Sequence, residues 1–214
     1  MKFSDLTAYA DGKILAGILD NTGYLVINNP ERHNAVSLAM YEAAAEIVEA
    51  MADDDEARLL VIRGAGGKAF ASGADISKFE SERSSEEQVA IYSAASARFY
   101  NAVVAFPKPT IAMITGYCIG GGMGLATCCD MRICEDKSRF AVPAARLGLG
   151  YAWDGVARLS ALVGPSMVKE IFFTARQFTA QEAYDMGLVN RVMPAHMLDA
   201  YIADYITRIG ENAP

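Results

Sequence analysis

Three consecutive glycines, at residues 120–122, separate a strand-like run from a helix-like run in this 214-residue chain. Glycine inside a regular element costs about 0.5–1 kcal/mol relative to alanine, so a triplet is expected only where the backbone itself must approach a neighbour. Backbone amides without side chains can reach a ligand, and the start of the following helix adds the positive end of its dipole. The triplet therefore predicts a site where backbone amides meet a negative charge or a polarised oxygen.

The composition limits the partners of this site. The formal net charge is -7 and no basic patch stands out, so we expect no binding to nucleic acid. The uncharged stretch 110–129 is long enough to span a membrane, but its glycines and threonines favour a buried strand followed by a buried helix. The chain starts without the apolar region of a signal peptide. We therefore expect a cytoplasmic protein with no membrane partner.

The cysteines do not predict a metal site. All four lie within 17 positions, but their spacing matches no zinc motif and two of them are adjacent: Cys118, Cys128, Cys129 and Cys134. Buried, reduced thiols are the expected state of such residues in a cytoplasmic protein.

Strand-like and helix-like patterns alternate along most of the chain, and helices follow. Strands are predicted at 14–20, 24–28, 59–63, 110–114, 131–134 and 139–142. Helices are predicted from a cap at Ser37 to residue 51, up to residue 106, up to residue 129, and at 155–162, 166–174, 180–186 and 198–209. The charged, serine-rich stretch 80–87 is predicted to be a surface loop or the start of a helix. This order indicates an α/β core followed by a helical tail.

Four segments resemble the crotonase (enoyl-CoA hydratase/isomerase) superfamily, in the family order and with family-like spacing. They are 29–35 (NPERHNA), 69–76 (AFASGADI), 115–122 (TGYCIGGG), and 178–183 (FTAQEA) followed by 187–190 (GLVN). The resemblance implies an α/β fold, a spiral of β-β-α repeats followed by C-terminal helices. It also implies a homotrimer or a dimer of trimers. We expect the spiral core at 1–195 and the start of an incomplete C-terminal helical region at 196–214.

The resemblance also implies how the site works. An acyl-CoA thioester would be the substrate, with no tightly bound cofactor other than the coenzyme A that the substrate carries. The backbone amides of Ala74 and Gly121 would form an oxyanion hole for the thioester oxygen. Residues implied in coenzyme A binding are Arg32, Ala35, Ala71, Asp75, Ile76 and Lys78. We expect Asp75 to stabilise its turn rather than to catalyse, because a carboxylate there would oppose the developing charge.

The family pattern breaks at two positions. Hydratases that this chain resembles use two glutamates to handle water and protons, and Gly124 and Ala144 stand in their places. Neither residue can move a proton, so hydration by a glutamate pair is not expected. The acyl pocket is predicted to be lined by these two positions together with Tyr117, Tyr151 and Trp153.

Asp154 is the candidate replacement for the missing acid or base. Some crotonase relatives use an aspartate from this general loop, although the register differs. The alternative is that Asp154 only caps a helix that begins at Gly155. Both interpretations remain open from the sequence.

Three functions are compatible with these residues. The leading hypothesis is an acyl-CoA isomerase, lyase or hydrolase that stabilises an enolate or oxyanion without the two-glutamate mechanism. One alternative is a non-catalytic acyl-CoA binder or assembly subunit, and another is a C–C bond hydrolase of the β-diketone type that uses Asp154. A dinucleotide-binding oxidoreductase is excluded, because no Gly-x-Gly-x-x-Gly follows the first strand with an acidic residue about 20 positions later.

Overall fold

The computed structural model describes residues 3–75 and 84–212. Its strands are β1 (Thr7–Tyr9), β2 (Ile14–Leu19), β3 (Thr22–Ile27), β4 (Leu59–Gly64), β5 (Ala69–Ala71), β6 (Thr110–Ile114), β7 (Tyr117–Ile119), β8 (Met131–Glu135), β9 (Arg139–Ala141), β10 (Phe178–Thr179) and β11 (Arg191–Met193). Its α-helices are α1 (Leu38–Ala52), α2 (Glu86–Val104), α3 (Gly121–Ala126), α4 (Ala144–Leu147), α5 (Trp153–Thr174), α6 (Ala180–Asp185) and α7 (Leu198–Gly210). Short 3₁₀ turns occur at Phe3–Asp5, Pro30–Arg32 and Ala195–Met197.

Two sheets share these strands. The larger sheet has the order β1-β2-β3-β4-β6-β8-β11, and the smaller one has the order β10-β9-β7-β5. The strands from β3 to β11 in the larger sheet are parallel, as are β5, β7 and β9 in the smaller one. Successive strand pairs β4/β5, β6/β7 and β8/β9 each give one strand to either sheet, and helix follows each pair. The predicted α/β fold with repeating β-β-α units is confirmed.

The central strands of the larger sheet are apolar on both faces. Leu60 and Ile62 of β4 pack in the cluster that includes α1 and α2, while Val61 packs in a second cluster with Leu198 and Ile202 of α7. Because successive side chains of a strand point to opposite faces, a continuous apolar run is expected for a strand that is covered on both sides. Burial on both faces fixes the register of β4, β6 and β8 and therefore the position of the segments that follow them.

Predicted element boundaries agree with the structure at one break and differ from it elsewhere. The predicted helices 155–162 and 166–174 correspond to the two helical segments of α5, which meet at a kink at Gly164, whose φ of 78° and ψ of 161° are not helical. The kink directly precedes Pro165, which disfavours a helical conformation in the residue before it. The helix after the glycines ends at Ala126 rather than at 129. The strand β5 was missed, since three residues are too few to show alternation, and the strand-like run before the glycines is divided into β6 and β7.

Part of the predicted 80–87 segment, residues 80–83, lies outside the described residues. Ser85 caps α2 by accepting a hydrogen bond from the Gln88 amide, so Glu86 and Glu87 belong to the first turn of the helix. All four cysteines are buried and free. None of the helices within 3–75 and 84–212 combines the length and the apolar character needed to cross a bilayer.

The start of α6 carries a charged cap. Thr179 and Glu182 exchange hydrogen bonds in a capping box, and Arg176 donates to Glu182 Oε1 at 2.7 Å. Hydrogen bonds from the Thr179 backbone and from Arg176 lower the pKa of Glu182 to about 2. The family-like segment 178–183 is therefore held in place by its own polar contacts.

We expect Glu182→Gln to lower the free energy of unfolding at pH 7 by about 1 kcal/mol, because it removes the charged acceptor of this cap. The pKa of Glu182 is lower in the folded chain than the unfolded value of about 4.3. The stabilisation is therefore present above about pH 4.3 and is lost as the pH falls toward 2. Urea denaturation at several pH values checks this expectation.

Glu170→Gln is the matched control. Glu170 also pairs with Arg176, at 2.9 Å, but caps no helix. Its substitution should cost less than that of Glu182. Equal losses in the two variants, or a loss in Glu182→Gln that persists unchanged at pH 2, would contradict the assignment to the cap.

Candidate active site

The parallel pairing of β5 and β7 brings the two glycine-containing segments into contact. A Cβ on Gly73 would lie 3.0 Å from the Gly121 nitrogen, and a Cβ on Gly121 would lie 3.2 Å from the Gly73 Cα. A Cβ on Gly122 would collide with the carbonyl group of Ala71. Glycine at these positions therefore allows the turn after β5 and the start of α3 to touch through their backbones.

The predicted donor amides, those of Ala74 and Gly121, each belong to a peptide group whose carbonyl oxygen accepts a backbone hydrogen bond. The Gly73 carbonyl accepts a hydrogen bond from the Val36 amide at 2.8 Å, and the Gly120 carbonyl accepts one from the Gly124 amide at 3.0 Å. In a trans peptide the N–H points opposite to the C=O, so the amides of Ala74 and Gly121 point away from these bonds. Neither amide donates to an acceptor within the parts of the chain that the structure describes.

The two amides lie close together, because Gly73, which precedes Ala74, contacts Gly121. Backbone N–H groups fixed before the reaction stabilise a developing negative charge without reorganisation, and each can be worth about 3–4 kcal/mol in a dry site. Helix α3 has only six residues, so the amides themselves rather than a long helix dipole supply this field. The arrangement fits an oxyanion hole for a polarised carbonyl.

Gly124 faces a tyrosine. A Cβ on Gly124 would lie 3.8 Å from the ring of Tyr100, whose hydroxyl donates to the Gly121 carbonyl at 3.0 Å. Burial raises the pKa of Tyr100, so its phenol stays protonated. Sequence reasoning missed Tyr100, because an aromatic residue at helical spacing beside Phe99 reads as core. Ala144 is buried at the start of α4.

Tyr151 lies beside the glycine run. Its hydroxyl oxygen is 3.9 Å from a Cβ built on Gly120, and its ring packs edge-on against Phe172 with centroids 5.1 Å apart. Burial of the phenol raises the pKa of Tyr151 to about 12. The loop before α5 thus lies against the glycine run through Tyr151.

The next residues of that loop are exposed. Trp153 is 77% exposed, and Asp154 is exposed in the first turn of α5. Helix α5 begins at Trp153 and its N-cap is Ala152, so the interpretation of Asp154 as the cap of a helix starting at Gly155 was wrong. A first-turn carboxylate still interacts favourably with the helix dipole.

Two asparagines organise the predicted coenzyme A turn, and one of them, Asn34, pins it to β5. The Asn34 side chain donates to the carbonyls of Ala65 and Ala69 at 2.9 and 2.6 Å and accepts from the Asn29 amide at 2.9 Å. Asn34 has a positive φ of 55°, which asparagine tolerates better than most residues. The sequence analysis identified the turn that contains these asparagines, but it did not predict that their side chains organise it.

The remaining predicted residues lie along this edge or outside the described chain. Arg32 is exposed in the 3₁₀ turn, and its carbonyl accepts a hydrogen bond from Ser72 at 3.3 Å. Tyr117 packs edge-on against His33, with ring centroids 5.9 Å apart. The buried members are Ala35, Ala71 and Asp75. Ile76 and Lys78 lie outside the described residues.

The family described as enoyl-CoA hydratase/isomerase matches residues 18–214. The chain belongs to the enoyl-CoA hydratase/isomerase family.

Individual family members are similar over most of the chain. The chain is 37% identical over 169 residues to a crotonyl-CoA hydratase of Syntrophomonas wolfei subsp. wolfei, covering 79% of this chain and 64% of that protein. It is 34% identical over 181 residues to the mitochondrial Delta(3,5)-Delta(2,4)-dienoyl-CoA isomerase of Rattus norvegicus, covering 80% of this chain and 55% of that protein. The chain thus spans less than two thirds of the length of these relatives.

A solved structure gives the same picture for the fold. The structure described as an enoyl-CoA hydratase/carnithine racemase from Magnetospirillum magneticum superposes with a TM-score of 0.90 at 36% identity. The match covers 94% of this chain and 76% of that chain.

Proposed function

We propose that this protein binds an acyl-CoA thioester and stabilises an enolate or oxyanion on its carbonyl with the amides of Ala74 and Gly121. The observation that carries the proposal is the contact between two peptide segments whose N–H groups have no acceptor within residues 3–75 and 84–212. Family membership supplies the substrate class, since the similar crotonyl-CoA hydratase and dienoyl-CoA isomerase are named for enoyl-CoA thioesters.

Coenzyme A would enter as part of the substrate and lie along the turn pinned to β5. Arg32 and Lys78 are the proposed contacts for its phosphate and pantetheine parts, and the backbone near Ala35, Ala71 and Ile76 is proposed to line the adenine and pantetheine path. Asp75 would stabilise the turn. A homotrimer or dimer of trimers and a cytoplasmic location belong to the same proposal, on the family resemblance.

The reaction would proceed without a glutamate pair. Gly124 and Ala144 cannot transfer protons, whereas an enolate-stabilising hole and one proton-transfer group suffice to move a double bond. Asp154 is the proposed proton-transfer group, because it lies three residues after Tyr151, whose hydroxyl reaches the glycine run. An isomerase, a lyase and a C–C bond hydrolase of the β-diketone type all fit these residues.

A non-catalytic acyl-CoA binder or assembly subunit is the second candidate function. The absence of a carboxylate at both glutamate positions favours it, since a thioester could then bind without reacting. Both candidate functions require binding of an acyl-CoA thioester, but only the enzyme is expected to turn it over.

A panel of enoyl-, 3-oxoacyl- and aryl-CoA thioesters tests both candidates. We expect the intact chain to turn over at least one of them, and Asp154→Asn to lower kcat about 10²-fold, because an amide cannot accept a proton. Glu87→Gln is the matched control, since Glu87 is also an acidic residue in the first turn of a helix. Binding without turnover across the panel would favour the binder, and unchanged kcat in Asp154→Asn would remove Asp154 from the mechanism.

A further inference from the structure

Two tyrosines of α2 reach the two halves of the oxyanion hole separately. Tyr92 donates a hydrogen bond to the Val36 carbonyl at 2.9 Å, and Tyr100 donates one to the Gly121 carbonyl at 3.0 Å. The two residues are eight positions apart, which is about 12 Å along a helix axis. One helix therefore contacts the backbone next to each proposed donor amide.

The Tyr92 contact reaches the Ala74 amide through Val36. The Val36 amide donates to the Gly73 carbonyl at 2.8 Å, and the Val36 carbonyl accepts from the Asp75 amide at 3.1 Å. These two bonds flank Ala74 and hold the peptide plane that carries its N–H. The Val36 carbonyl also accepts a hydrogen bond from the Tyr92 hydroxyl. A shift of this hydroxyl would therefore move Val36 and, with it, the backbone on both sides of Ala74.

Tyr100 constrains the other donor, the Gly121 amide, by binding the carbonyl of the same residue. Its hydroxyl binds the Gly121 carbonyl, while the Gly124 amide binds the Gly120 carbonyl at 3.0 Å. The peptides on both sides of the Gly121 Cα are thus fixed through their carbonyl groups. The orientation of the Gly121 N–H follows from these two bonds.

Tyr41 of α1 joins the two tyrosines into one block. Its ring packs edge-on against Tyr92 and Tyr100, with centroids 5.4 and 6.0 Å apart, and its hydroxyl lies 3.3 Å from that of Tyr100. Phe99 fills the space beside it, with its ring centroid 6.2 Å from that of Tyr41. Edge-to-face rings at these distances form a well-packed cluster.

The donor segments need such an external support. Gly73 and Gly120 have positive φ values of 91° and 56°, and glycine has more conformational freedom than any other residue. Without side chains these turns cannot lock themselves by packing. Charge stabilisation requires the donors to keep their geometry within about 0.5 Å, so the constraint must come from neighbouring elements.

We propose that Tyr92 and Tyr100 are positioning residues, whose hydroxyl groups hold the Ala74 and Gly121 amides at the spacing that one thioester oxygen requires. This inference rests on the proposed function. It assigns the hydroxyl groups a role beyond the packing of their rings. Burial raises the pKa of Tyr100, which keeps its hydroxyl a hydrogen-bond donor across the physiological range.

Polarisation of a bound thioester tests this role without requiring knowledge of the reaction. Cinnamoyl-CoA is a suitable probe, because its conjugated thioester absorbs at longer wavelength when hydrogen bonds polarise the carbonyl. We expect the intact protein to red-shift the bound probe, and Tyr100→Phe and Tyr92→Phe each to reduce the shift roughly by half, with Kd changed less than about threefold. Tyr41→Phe should act in the same direction more weakly.

Tyr201→Phe is the matched control. The Tyr201 hydroxyl also hydrogen-bonds another tyrosine, Tyr205 at 3.1 Å, but it belongs to α7 on the opposite face of the larger sheet. Its removal should leave the red shift intact. Thermal unfolding of each variant separates a loss of polarisation from a loss of fold, since Phe keeps the packed ring.

The possible outcomes separate this inference from the proposed function. A full red shift in both Tyr100→Phe and Tyr92→Phe, with normal binding by the intact protein, would overturn the positioning role alone. A loss of probe affinity that parallels a loss of thermal stability would also overturn it, because the tyrosines would then be structural. If the intact protein neither binds nor polarises the probe, the proposed function fails and this inference fails with it.

Discussion

Gly122→Ala is expected to destabilise the chain by about 3 kcal/mol or more, enough to prevent folding of many domains of this size. The new Cβ would collide with the carbonyl oxygen and carbon of Ala71, and it would lie 2.9 Å from the Ala71 Cβ. Both partners are backbone or directly attached to it, so no flexible side chain can move aside. Relief of the collision would require β5 and α3 to separate.

Gly124→Ala provides the control two residues away in the same helix. The closest atoms to its new Cβ would be those of the Tyr100 ring at 3.8 Å, which is ordinary van der Waals contact. Alanine in a helix is favoured over glycine by about 0.5–1 kcal/mol, so this variant should be neutral or slightly stabilised. Urea denaturation compares the two, and similar stabilities for both variants would contradict the described contact between α3 and β5.

The contrast between these glycines shows what the sequence could and could not predict. The run predicted a place of close backbone approach, and the four family-like segments predicted the α/β spiral. The reason why each of the three positions requires glycine depends on contacts between distant segments. Gly120 adopts a positive φ, Gly121 lies against Gly73, and Gly122 lies against Ala71. No local pattern in the chain specifies which neighbour each glycine meets.

The same limit explains why the sequence did not predict the backbone contacts of the tyrosines or the first residue of α5. Tyr92 and Tyr100 occupy core positions of an amphipathic helix, and periodicity cannot distinguish a hydroxyl that binds backbone from a ring that only packs. Asp154 matched the preference for acidic residues at a helix start, but the exact cap residue depends on how the loop at 148–152 leaves α4. Helix boundaries of this kind are set by tertiary packing more than by propensity.

Removal of the Gly121 N–H alone is expected to lower kcat about 10²–10³-fold, or about 3–4 kcal/mol of transition-state stabilisation. The change is an amide-to-ester replacement, in which glycolic acid takes the place of Gly121 and an oxygen atom replaces the nitrogen. No Cβ is added, so the contacts with Gly73 and Tyr100 remain. Since the Gly121 N–H has no acceptor within residues 3–75 and 84–212, its loss breaks no hydrogen bond described within the chain.

An ester at Gly155 is the matched control for this replacement. Gly155 also lies in the first turn of a helix, and a Cβ there would meet nothing within 4 Å. Turnover of the thioester found in the panel and the red shift of bound cinnamoyl-CoA should both fall in the Gly121 ester and persist in the Gly155 ester. Full activity and a full red shift in the Gly121 ester would mean that this amide does not contact the thioester oxygen. The charge-stabilising role would then have to be assigned to other groups.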